Sequence, residues 1–130
     1  MNRYFTLALT AIGSALLGAG AVQTLKAQAK PPAYVVVDIA DTTDAEGFKA
    51  VTSSPATSPA RTAALGGRYV IRTNQATALD GSPSQRFVVI SFDNKEKAQA
   101  WYDTPDVREI NAIRSKTTKS RAFIVEGLAN

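Results

Sequence analysis

Residues 33–39, AYVVVDI, form a β-branched run that is largely apolar on both sides. Such residues favour extended backbone, and strand alternation sends Val35, Val37 and Ile39 to one face and Tyr34, Val36 and Asp38 to the other. A strand with one face in water alternates apolar with polar, so this segment needs cover on both faces. Residues 86–92, RFVVISF, make the same demand. Any fold for this chain must supply two layers of cover to one sheet.

The segments between the strands supply one layer. After Asp41, Thr43 and Glu46 have capping-box spacing and predict a helix carrying Phe48 and Val51. Pro55 and Pro59 interrupt it, a second short piece spans residues 60–65, and Gly66-Gly67 closes that piece. Residues 68–73, RYVIRT, read as a strand with Tyr69 and Ile71 opposite Arg68, Val70 and Arg72. Asp80-Gly81 and Pro83 turn the chain back toward residues 86–92, an antiparallel hairpin with a long tip. Asp93 with Glu96 predicts a helix through Ala98, Trp101 and Tyr102, and Thr104-Pro105 starts another with Val107, Ile110 and Ile113 facing inward. Residues 121–127, RAFIVEG, close the sheet.

The order is therefore βαββαβ. With right-handed crossovers this gives an α+β, ferredoxin-like domain: a four-stranded antiparallel sheet with its helices on one face. The second layer of cover must come from elsewhere. Leaving several hundred Å² of apolar sheet in water costs about 25 cal/mol per Å², so a second copy packed on the open face is expected, a homodimer of two sheets.

The first 29 residues read as a secretory signal, and residues 30–130 as the single domain. Arg3 is followed by an uncharged stretch from Phe5 to Val22 and an A-x-A site at Ala27-Gln28-Ala29. A retained anchor is the alternative, but glycines and small residues dilute the stretch. The expected address is periplasmic or secreted, with no membrane attachment after cleavage. Of 15 basic residues Arg3 and Lys26 leave with the signal, so 13 stand against 11 acids, and nucleic acid is not an expected partner. The chain has no cysteine and no histidine, and its one methionine is Met1. Disulfides, thiol nucleophiles, serine–histidine triads, common zinc sets and histidine-ligated haem are excluded, and no metal or other cofactor is expected.

PPAYVVVDI, GGRYVIRT, ALDGSP, RFVVISFDNKEKAQAWYDTPDVREI and the closing RAFIVEGL resemble the domain of unknown function 1330 family over nearly all of residues 31–128. The resemblance implies a dimeric α/β barrel of ferredoxin-like type and assigns no activity. The chain departs from the family at VTSSPATSPART, where a more regular helix is usual.

Candidate ligand-binding residues are polar or aromatic groups set among apolar ones. Asp38 and Arg72 share a sheet face if the strands register suitably, as an ion pair or as base and anchor for an acidic or carbonyl compound; the plainer reading, preferred here, sets both near strand ends where water reaches them. Ser91 and Tyr34 add hydroxyls. Trp101 and Tyr102 are expected to pin a corner between two helices, although their rings also suit a ligand. Arg114 belongs to RSKTTKSR, a run without an acid that reads as a solvated helix end or an anion site. The expected function is binding of a small molecule or partner. The alternative is a cofactor-free enzyme of monooxygenase or isomerase type acting on a small carbonyl or aromatic compound, weakened by the lack of histidine.

Overall fold

The computed structural model describes residues 30–129. The expected signal, residues 1–29, lies outside the described residues. Residues Pro31–Leu128 form one compact unit. Its elements are β1 (Ala33–Thr42), α1 (Ala45–Thr52), a single 3₁₀ turn (Pro55–Thr57), α2 (Pro59–Ala64), β2 (Arg68–Thr73), β3 (Arg86–Phe92), α3 (Lys95–Tyr102), α4 (Pro105–Thr117) and β4 (Thr118–Glu126). The sheet order is β2-β3-β1-β4 and every pairing is antiparallel, the ferredoxin-like arrangement.

Helix starts are set by short side chains that reach back to the first free amides. The Asp44 carboxylate accepts from the Gly47 amide at 3.0 Å, and the Asn94 side chain accepts from the Lys97 amide at 2.9 Å. The expected caps, Thr43 and Asp93, are each one residue early. A capping-box spacing exists at both places, but the following Asp or Asn holds the extended backbone of the cap position. The Ser-Pro pairs resolve TSSPATSP in the same way. Ser54 and Ser58 accept from Ala56 and Arg61 amides, while Pro55 and Pro59 fill the first helical position, where no amide hydrogen is needed. Gly66, at φ 89°, ends α2 in the left-handed region.

One face of the sheet carries the core. Ala33, Val35, Ile90 and Phe92 cluster with Ala98, Trp101 and Val107 from α3 and α4. Gly67 lies so close beneath that a side chain there would meet Phe92 and Thr62 at 2.7 Å. At the corner between α3 and α4, Thr104 stands at the cap position and Pro105 opens α4, but the Thr104 side chain makes no cap bond and its hydroxyl instead donates to the Trp101 carbonyl at 2.7 Å. The Trp101 ring centroid sits 5.6 Å from that of Phe92 and 6.4 Å from that of Tyr102.

The ladder decides which residues share a face, because directly opposed residues of antiparallel strands point the same way. Tyr34, Val36 and Asp38 oppose Ser91, Val89 and Phe87 on β3, and Val125, Phe123 and Arg121 on β4. This is the face away from the core cluster. On β2 the pairing slips between Tyr69 and Ile71, so Tyr69 opposes Ile90, Ile71 opposes Val89 and Arg72 opposes Val88. The slip is a β-bulge at Val70, and it turns over the rest of the strand. Ile71 therefore joins the open face and Arg72 the helix-covered face, the reverse of strict alternation.

Candidate functional site

Between the helix-covered face and the helices lies a cleft with about 70 Å³ of room for the centres of water-sized molecules. Its floor is built by Val37, Ile39, Val88 and Ile90 of β1 and β3, and its roof by Phe48 and Val51 of α1 and Val107 and Ile110 of α4. Into these apolar walls project three arginines, Arg72, Arg86 and Arg114, together with Tyr69, Trp101 and Asn111. No aspartate or glutamate lines it.

Arg114 is only 7% exposed. It follows Val107, Ile110 and Asn111 at helical spacing, which carries it inward rather than to the solvent. Its Nε donates to Asn111 Oδ1 at 3.3 Å and its Nη1 to the Ser120 hydroxyl. Both partners are neutral, and among the described residues no carboxylate pairs with it. A buried guanidinium held only by neutral oxygens keeps most of its desolvation cost. The solvated helix end expected at RSKTTKSR holds for Lys116, which is exposed in the last turn, and fails for Arg114. The helix runs to Thr117 and passes directly into β4, where Lys119 and Arg121 are exposed while Thr118 is buried and Ser120 half-buried.

Arg86 and Arg72 stand at the other side of the cleft. Arg86 donates to Asn74 Oδ1 at 3.3 Å, and the Arg72 guanidinium carbon lies 5.1 Å from the centre of the Tyr69 ring. Burial, and then the charge of Arg72, hold the Arg86 pKa below the ordinary guanidinium value, with Tyr69 acting in the opposite sense. The Tyr69 hydroxyl donates to the Thr57 carbonyl, which ties β2 to the 3₁₀ turn. Trp101, 4% exposed, has no acceptor for its indole N–H, and Asn111 Nδ2 likewise lacks one. The cleft wall is rich in donors and poor in acceptors.

Of the seven expected site residues, Arg72, Trp101 and Arg114 come together here. Asp38, Ser91 and Tyr34 do not, since the ladder places them on the opposite face. Asp38 accepts from the Ser84 hydroxyl at 2.6 Å and lies 3.8 Å from Arg121 Nε, so its expected partnership with Arg72 is replaced by these two. Tyr102 lines a separate hollow with Gln99 and Phe123. Arg86 and Asn111 were absent from the expectation. Arg86 is in phase with Val88 and Ile90, and Asn111 lies four residues from Val107, so both periodicities pointed inward.

The family model described as "Domain of unknown function (DUF1330)" matches residues 32–128. No curated protein matches the chain. Among solved structures, the RPA0582 protein of unknown function from Rhodopseudomonas palustris is similar at 16% identity and a TM-score of 0.57, covering 84% of this chain and 92% of that one. A dimeric ferredoxin-like protein of unknown function from Thermobifida fusca is similar at 17% identity and a TM-score of 0.52, covering 75% of this chain and 92% of that one. At such identities the likeness speaks for the fold alone.

Proposed function

The chain belongs to the DUF1330 family, and from that premise we propose that it is an exported homodimeric protein that holds a small molecule in the cleft between sheet and helices without transforming it. The observation that carries this reading is the pair of donors left without acceptors in an apolar cleft, the Trp101 indole and the Asn111 amide, beside a buried Arg114 held only by neutral oxygens. Native interiors leave few such groups, and a bound molecule bearing acceptors gives these a purpose.

The cofactor-free enzyme reading is less well supported. Proton abstraction needs a base within reach of the substrate, and neither a carboxylate nor a histidine lines the cleft. Asp38, the expected base, stands on the other side of the sheet. Tyr69 already spends its proton on the Thr57 carbonyl.

Export is supported by the pattern of residues 1–29, and the destination is the periplasm or the medium. Dimerisation is supported by the open face, where Ile71, Phe123 and Val125 are 41%, 37% and 42% exposed. That the Thermobifida fusca protein is described as dimeric agrees with it. Mass spectrometry of small molecules released from the natively purified protein tests the binding role, with Val88→Trp as the filled-cleft control. A compound released by the wild type and not by the variant is the expected result. Equal release from both overturns the reading.

A further inference from the structure

We propose that the cleft takes an organic carboxylate, its anionic head among Arg72, Arg86 and Arg114 and a compact apolar body toward Ile90, Val107 and Trp101. This deepens the binding role and rests on it.

The direction comes from the ladder. Residues on one face form rows across the sheet, and successive rows are about 7 Å apart, two strand residues along. One row on the helix-covered face runs Ser120, Ile39, Arg86, and the next runs Ala122, Val37, Val88, Arg72. The third runs Ile124, Val35, Ile90, Tyr69 and holds no charge. Arg114 joins the first row through its bond to Ser120. Along α4 the order is the same: Val107 packs with Val35, Ile90 and Trp101, and Arg114 comes about 10 Å further on, nearer the end where Thr42 pairs with Thr118. Floor and roof therefore agree on which end is basic and which is apolar.

The head is an anion because three arginines line one cleft with no acid among the lining residues and no ion pair to any described carboxylate. Arg72 and Arg86 repel each other there, which adds to burial in lowering the basicity of Arg86. An anion between the arginines removes that repulsion and satisfies Arg114 at once. A carboxylate fits better than a phosphate because Val37, Ile39, Phe48, Val51, Val88 and Ile110 line the cleft beside the half-buried Arg86 and the buried Arg114 and take part of the head's hydration, although Arg72 is exposed. That cost rises steeply with charge, so a monoanion is favoured over a dianion.

Trp101 is the chain's only tryptophan and lines the cleft, so its fluorescence reports occupancy. Titration with benzoate, benzamide and inorganic phosphate at neutral pH should show saturable change with benzoate, binding about tenfold or more weaker with benzamide, and none with phosphate. Arg86→Gln, at a half-buried position that folding tolerates better than Arg114, should weaken benzoate about tenfold and leave benzamide unchanged. Equal affinity for benzoate and benzamide, or no effect of Arg86→Gln, overturns the carboxylate and leaves the binding cleft standing. Phosphate binding tighter than benzoate also overturns it. A folded protein that answers to none of the three overturns the cleft reading together with the inference.

Discussion

Arg114 donates from Nη1 to the Ser120 hydroxyl, joining the last turn of α4 to β4 where no loop separates them. The same hydroxyl lies 2.7 Å from Thr118 Oγ1, so one small side chain serves two buried groups. Ser120→Ala should cost about 1–3 kcal/mol, the price of leaving a buried donor unmet, read as a lower urea midpoint at unchanged slope. Ser120→Asp places an anion beside the guanidinium. It should retain stability and abolish benzoate binding in the tryptophan titration.

Gly67 has no room for a methyl group. A Cβ would stand 2.7 Å from both Phe92 Cζ and Thr62 Cγ2, and these belong to the packed core. Gly67→Ala should destabilise the fold by about 1–3 kcal/mol in denaturant unfolding through overpacking.

Phe123 opposes Val36 on the face away from the core cluster. Phe123→Lys should reduce a dimer to a monomer in sedimentation velocity at micromolar concentration, with circular dichroism unchanged. A wild-type protein that sediments only as a monomer contradicts the proposed assembly.

The start of α1 separates two neighbours that look alike in the sequence. Asp44→Ala removes the cap acceptor of the Gly47 amide and should cost about 1 kcal/mol. Thr43→Ala removes an exposed side chain with no cap role and should stay within about 0.5 kcal/mol. Equal losses in the two variants would return the cap to Thr43.

Asp106, in the first turn of α4, pairs with Arg61 of α2 at 3.1 Å. The hydrogen bond from Arg61 is the main cause that holds its pKa below the usual 3.8. A carboxyl with a lowered folded pKa stabilises the fold above the unfolded pKa and loses that effect as pH falls through the folded value. Arg61→Ala should therefore lower the thermal midpoint at neutral pH, and its difference from the wild type should shrink as pH falls below 3.8 and vanish once pH is under the folded value.

The strand order and the two-sided demand for cover were readable because β1 and β3 are β-branched on both faces, a signal that little else produces. Capping was readable only to within one residue, since Thr43 and Asp93 satisfy the spacing while Asp44 and Asn94 hold the backbone angle. The face of Arg72 was not readable, because nothing in RYVIRT marks Val70 as the inserted residue. Arg114 was partly readable. Its charged neighbours suggested solvent, but its spacing from Val107 pointed inward, and the packing of α4 followed the spacing. Arg86 needed both the phase of β3 and the knowledge of which face the helices cover.

The bulge at Val70 also determines what kind of genetic change can remake this protein. A deletion of that single codon would restore a regular ladder and leave Ile71 opposite Val89 and Arg72 opposite Val88, whereas pairing Val70 itself with Val89 would swing Arg72 out to the bare side and bring Ile71 in beside Val88. The charge of the cavity wall thus depends on Val70 staying out of the ladder as well as on composition.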